Sequence, residues 1–166
     1  DSLHYITSAR QDNTYLVYVR AKGYIYKDTL IHIPNTAAEL TYTIPLSALQ
    51  KEMVLQLRNI QFDHNSSVLT PSSYAELDKL VKLMQDNPSM QIELSAHTDD
   101  VGSEQYNMRL SQQRGESVRK YLIRKGVDAK RIIAKGYGKN KPLVPNDSDE
   151  NRAINRRVEF TINEIE

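Results

Sequence analysis

Near Val54 the hydrophobic pattern of this chain changes, and the change limits the folds open to it. Before that point the runs are short and alternate with period two: Tyr15, Val17 and Val19 point one way, Leu16, Tyr18 and Arg20 the other. After it, strand-like runs alternate with segments of helical period. A chain of this kind folds as an α+β layer preceded by a β-rich segment, with helices on one face of a mixed sheet. Its 166 residues, 39% of them hydrophobic, are enough for one domain with a real core, or one domain plus a fragment.

Composition excludes several classes of function. Lysine and arginine number 22 against 21 acidic residues, so the net charge is +1 and a nucleic-acid binder working by bulk positive charge is excluded. The absence of cysteine removes disulfide scaffolds and thiolate metal or redox sites. No apolar run approaches the roughly 18 residues a membrane-spanning helix needs. The sequence opens at Asp1 with no basic-then-apolar leader and reads as a piece of a larger protein.

Residues 1–50 form the first unit. Tyr5, Tyr15, Tyr18, Tyr24, Tyr26 and Tyr42 fall there, and strands are expected over residues 15–20, 24–26, 29–33 and 41–44, the last stopped by Pro45. These are too few for a closed sandwich. The segment resembles the last strands of a carboxypeptidase-regulatory-like β-sandwich module.

Residues 51–166 form the second unit. A strand is expected over residues 55–62, then a helix with Thr70 as N-cap, Pro71 at its first position and Leu77, Leu80, Val81 and Met84 on its inner face. Met90, Ile92, Leu94 and Ala96 alternate with Gln91, Glu93, Ser95 and His97, which predicts a strand with one buried and one polar face. A loop over residues 98–103 leads to a long helix ended by Gly126. Strands over 131–137 and 156–162, separated by a polar loop and a helical turn at 151–155, complete the layer.

Two arginines break the binary pattern. Arg114 lies four residues after Leu110 and four before Val118, on the apolar stripe of the long helix. Arg156 shares the parity of Val158, Phe160 and Ile162. A buried guanidinium needs an anionic partner, because an unpaired buried charge costs several kcal/mol. Each arginine either snorkels and pairs internally or serves a ligand. Asp99 follows its strand directly; the loop runs outward by at most ~13 Å and the helix returns by ~15 Å before reaching Arg114, so the two side chains arrive at similar height on facing elements. Such a pair neutralises itself or flanks a cleft for a ligand carrying both charges.

Taken together, Asn59-Ile60-Gln61-Phe62-Asp63, His97-Thr98-Asp99 with Gly102, Tyr106-Asn107, Leu110-Ser111, Arg114 and Asn155-Arg156-Arg157-Val158-Glu159 resemble the OmpA/MotB-like peptidoglycan-binding domain. The resemblance covers about residues 54–163. It implies non-covalent, non-catalytic binding of peptidoglycan through the diaminopimelate of the stem peptide, with no cofactor and no metal. Asp99 then takes the ammonium of the diaminopimelate and Arg114 its carboxylate. Asp63, Asn65, Asn107 and Arg156 complete the pocket, with the loop backbone at Val101 and Gly102. The implied setting is the periplasmic side of the outer membrane of a diderm bacterium, where the domain anchors an envelope protein to the wall. Ala96, Val101, Gly115 and Asn151 depart from the family's usual residues.

Two other readings remain open on the residues alone. A metal-dependent hydrolase would gather Asp63, His64, His97, Asp99 and Asp100 at one rim. A protein-interaction module would keep the fold without the ligand. Arg119-Lys120, Arg124-Lys125 and residues 139–141 read as solvated faces.

Overall fold

The computed structural model describes residues 9–36, 40–63 and 65–165, so Tyr5 and His64 lie outside the described residues. The chain divides into two compact units, Asp1–Ala48 and Leu49–Glu166.

In the first unit, β1 (Asn13–Val19) pairs antiparallel with β2 (Lys27–Ile33), Leu16 opposite Leu30. The run at 24–26 contributes only a bridge from Tyr24 to Ala48. Residues 41–44 form no strand, contrary to the alternation there. Side chains tie that segment down instead: the Tyr42 hydroxyl donates to His32 O at 2.7 Å. β propensity reflects packing against cross-strand neighbours, so by itself it does not make a strand.

The second unit is a four-stranded mixed sheet in the order β3-β6-β4-β5. Its strands are β3 (Val54–Leu57), β4 (Gln91–His97), β5 (Ile132–Gly138) and β6 (Val158–Glu164). β6 runs antiparallel to both β3 and β4, whereas β4 and β5 are parallel. Strand β3 is shorter than expected: after Leu57 the chain turns, and Phe62 instead bridges Leu69. Two main helices, α1 (Tyr74–Asp86) and α2 (Glu104–Arg124), cover one face of the sheet, and a short α3 (Asp149–Asn155) precedes β6.

The core follows the periodicities. Leu77, Leu80 and Met84 of α1 pack with Val118 and Leu122 of α2 over Ile92, Leu94, Phe160 and Ile162, all buried. Thr70 occupies the N-cap position of a 3-10 turn, Pro71–Ser73, from which α1 continues, but its hydroxyl makes no capping bond. Beyond the end of α1, Arg131 Nη2 donates to Met84 O and Asn87 O, both at 2.7 Å, and Arg131 Nε to Met90 O at 2.9 Å. One guanidinium thus takes a carbonyl from the last turn of the helix and two from the turn that leads on to β4. At the start of α2 the Ser103 hydroxyl accepts from Tyr106 N, which fixes where the helix starts and so where Arg114 falls.

Close approach of α2 to β5 depends on Gly136: a Cβ there would stand 2.3 Å from Gln112 N. Gly115, on the facing side of α2, is less crowded, its nearest neighbour being Ala134 Cβ at 3.5 Å. The polar side of β4 is itself covered: Ser95 and His97 are buried. The Tyr137 hydroxyl donates to Glu93 Oε1 at 2.7 Å and Lys135 pairs with the same carboxylate. Burial raises the Glu93 pKa, but these two partners outweigh it and hold the group below its ordinary value.

Candidate functional site

The loop between β4 and α2 is built by its own hydrogen bonds. Asp99 stands two residues beyond the end of β4, and its Oδ1 accepts from Val101 N at 3.1 Å. Gly102 follows at φ +95°, a conformation that L side chains rarely adopt. Asn107, buried on the first turns of α2, donates through Nδ2 to Val101 O at 3.0 Å and to Asp99 O at 3.5 Å. Lys139 Nζ donates to Gly102 O at 3.1 Å. Asn107 and Gly102 therefore shape the loop that presents Asp99, and the Val101 amide is committed to the Asp99 carboxylate, while the Val101 side chain is exposed.

Asp99 is mostly buried, and its Oδ2 accepts from Arg156 Nη1 at 2.7 Å. Arg156 does not lie on β6, as its parity predicts. It is the exposed C-cap residue of α3, two residues before the strand begins. The buried member of the pair is Arg157, which donates to Glu159 Oε2 at 3.0 Å and to Lys141 O at 3.3 Å. The parity argument fails because the chain is still leaving a helix at Arg156. One turn earlier on α3, Arg152 Nε donates to Asp100 Oδ1 at 3.2 Å. Two arginines spaced by four residues thus stitch α3 to adjacent carboxylates of the loop. That spacing is visible in the sequence, but nothing local marks Arg152 as a partner of the loop.

Arg114 is half-buried, as its place on the stripe predicts. Its Nε donates to Ser66 O at 3.0 Å, and its guanidinium lies 4.9 Å from the centroid of the Phe62 ring. Burial pulls its pKa below the ordinary guanidinium value, Tyr106 and Asp99 oppose that, and Arg156 adds to it. Asp99 is therefore near enough for its charge to act on Arg114, but among the described residues no ion pair joins them. The Asp63–Val68 turn presents Ser66: Asp63 N donates to Val68 O at 3.1 Å, Ser66 N donates to Asp63 O at 3.0 Å, and Asn65 sits between at φ +50°. Asp63 and Asn65 are exposed on this turn. The structure thus brings Asp99, Arg114 and Arg156 into one electrostatic neighbourhood, with the loop of Val101, Gly102 and Asn107 on one side and the turn of Asp63 and Asn65 against Arg114.

His97 is turned to other work. Its ring is buried, stacks on Tyr137 with centroids 5.4 Å apart, and has Nε2 3.3 Å from Glu159 Oε1, with neither ring nitrogen in hydrogen-bond geometry. Burial, seconded by the positive charge of Arg157 and opposed by Glu159, lowers its pKa to about 4. Among the described residues no three His, Asp or Glu side chains converge as a metal site would require; His64 lies outside them. Ser111 accepts from Gly138 N and donates to Met108 O, both within the packed helix–sheet contact.

Residues 61–156 match the family model described as OmpA family. Outer membrane porin F of Pseudomonas aeruginosa is 36% identical over 136 residues, 81% of this chain and 39% of that protein. Peptidoglycan-binding protein ArfA of Mycobacterium tuberculosis is 35% identical over 104 residues, 63% of this chain and 32% of that protein. The crystal structure of the peptidoglycan-associated lipoprotein from Burkholderia pseudomallei superposes with a TM-score of 0.58 at 29% identity, covering 62% of this chain and 87% of that one. The chain thus spans less than half the length of these two curated relatives. With the mixed sheet, the helices on one face and more than half of its residues inside the matched segment, the chain belongs to the OmpA family.

Proposed function

We propose that the second unit binds peptidoglycan without catalysis, gripping the zwitterionic head of the diaminopimelate in the stem peptide. The reading rests on one observation above the others: Arg114, half-buried and with no acidic partner of its own among the described residues, is held over Phe62 within the field of Asp99. The relatives' names supply the class of ligand, since one is called peptidoglycan-binding and another peptidoglycan-associated.

Asp99 offers an acceptor and Arg114 and Arg156 offer guanidinium donors. A zwitterionic ligand head, with one ammonium and one carboxylate, has a partner here for each of its charges. Its ammonium takes a place at Asp99, and its carboxylate lies between Arg114 and Arg156, where planar guanidinium groups bind carboxylates in bidentate fashion. The Asp99–Arg156 pair is partly solvent-exposed at the arginine end and is worth about 1 kcal/mol or less, so exchanging it for the ligand costs little. Each new charge-assisted contact contributes about 1.5–3 kcal/mol, offset in large part by the entropy of binding. A single stem peptide therefore binds weakly, and attachment gains strength from the repeated sites of the polymer.

The setting that fits this ligand is the periplasmic face of the outer membrane, where such a domain tethers an envelope protein to the wall. One curated relative is named an outer membrane porin, and among the described residues no helix is long and apolar enough to cross a membrane. Cosedimentation with purified sacculi tests the reading. The wild-type chain is expected in the pellet, and Asp99→Ala and Arg114→Ala in the supernatant with unchanged circular dichroism. Pelleting of both variants at the wild-type level would instead favour a module that has kept the fold for another partner.

A further inference from the structure

Beside Arg114 a second feature lies outside the site described so far. An open groove of about 560 Å³ is lined by Ser67, Val68, Leu69 and Tyr74 on one side and by Ser117, Lys120, Ile123 and Arg124 of α2 on the other. Val68 is 61% exposed and Tyr74 39%, so the apolar wall faces solvent. Lys120 and Arg124 are exposed, and among the described residues neither has an acidic partner; Arg124 lies only over the Tyr121 ring, at 5.9 Å. The groove combines an apolar floor with two cations that no acidic side chain among the described residues neutralises.

Its position relates it to Arg114. Ser66 O accepts from Arg114 Nε, and Ser67 to Leu69, the next residues of that turn, form the groove's rim. On α2, Ser117 follows Arg114 by three residues, which is one turn on the same face. From Arg114 to Arg124 the helix rises about 15 Å, and the long side chains of Lys120 and Arg124 shorten the gap because helical side chains lean back toward the N-terminus.

Building on the proposed head-group site, we infer that this groove is a second subsite, taking the residues that flank the diaminopimelate in the same stem peptide. Lys120 and Arg124 hold free carboxylates of that peptide, and Val68, Leu69, Ile123 and Tyr74 take its short apolar side chains. The contiguity of the rim with the Arg114 turn selects this occupant over an unrelated chain, and the unpaired cations select carboxylates over sugar hydroxyls. Anchoring then depends on peptide length as well as on the head group, and amidation of the flanking carboxylates weakens it.

Isothermal titration of the full chain with three probes tests this: free diaminopimelate, a stem tetrapeptide containing it, and that tetrapeptide with the flanking carboxylates amidated. The double variant Lys120→Ala/Arg124→Ala, which changes only exposed side chains, is expected to bind free diaminopimelate like wild type. It should bind the tetrapeptide on the order of tenfold more weakly, and the amidated tetrapeptide no differently from wild type. A tetrapeptide affinity within twofold of wild type overturns the subsite. So does an acidic peptide of equal length without diaminopimelate that binds as tightly as the tetrapeptide and loses affinity in the double variant, since the groove then serves another acidic chain. Failure of the head-group reading is a separate outcome: wild type would then bind none of the three probes, and the groove inference would fall with it.

Discussion

The carboxylate of Asp99 is paired at 2.7 Å with Arg156, 57 residues further along the chain, and not with Arg114 on the adjacent helix. The partner is an exposed arginine at the end of a short helix. It can turn away to solvent at small cost, whereas Arg114 is fixed by a backbone carbonyl and an aromatic ring. One cation of the site is set in place and the other is exchangeable.

That asymmetry ranks the effects of substitution on binding a diaminopimelate stem peptide. Asp99→Ala and Arg114→Ala each remove a charge-assisted contact and are expected to weaken binding by about 10- to 100-fold. Arg156→Ala removes one contact but also frees Asp99 for the ligand's ammonium, so its loss is a few-fold at most. Fluorescence anisotropy with a labelled stem peptide measures the order, and a larger loss for Arg156→Ala than for Arg114→Ala would contradict it.

His97 makes stability depend on pH. Its pKa is about 4 in the fold against an ordinary 6.5, because burial and Arg157 disfavour the charged ring more than Glu159 favours it, with Lys141 nearby and Tyr137 stacked on one face. Between those values the unfolded chain's ring binds more protons than the folded one's, so the His97 contribution to stability falls as pH drops from 6.5 to 4 and is constant below. The contribution of this one group is about 3 kcal/mol across the window. Urea midpoints measured over that range are expected to decline for wild type and to decline less for His97→Gln; parallel profiles would place the acid sensitivity elsewhere.

The two glycines at the α2–β5 contact should respond in opposite senses. A Cβ at Gly115 meets only ordinary contacts, so Gly115→Ala gains helix propensity and stabilises by about 1 kcal/mol. A Cβ at Gly136 collides with the backbone of α2, so Gly136→Ala forces the helix outward and costs about 1–3 kcal/mol or more. Thermal unfolding of the two variants checks the pair, and a fall in midpoint for Gly115→Ala would show the contact to be tighter than the distances imply.

Much of this was legible in the sequence where a periodic pattern and a local signal agreed. The inner face of α1, the long helix that follows the loop at 98–103, and Arg114 on the stripe all follow from spacing that tertiary packing then uses. What was not legible depended on partners remote in sequence. Residues 41–44 have strand propensity but join neither outer edge of the two-stranded β1–β2 sheet. Arg156 was misplaced because parity assumes that a strand has already begun, and its role as the partner of Asp99 depends on where α3 ends. The basic run on α2 reads as one solvated face, but the fold sorts it. Arg119 donates to Ile132 O and Ala129 O, Lys125 pairs with Asp78 at 3.0 Å, and Lys120 and Arg124 are left to line a groove. Gly136 carries no local signal at all, because its requirement comes from a helix that passes over it.

Replacement of diaminopimelate by lysine in a stem peptide removes the carboxylate of the head and keeps its ammonium, and thereby isolates what Arg114 is proposed to recognise. Titration of wild type with both peptides is expected to favour the diaminopimelate form by about 10- to 100-fold, and Arg114→Ala is expected to bind the two equally and weakly. Equal affinities in wild type, or a preference that survives Arg114→Ala, would contradict the account.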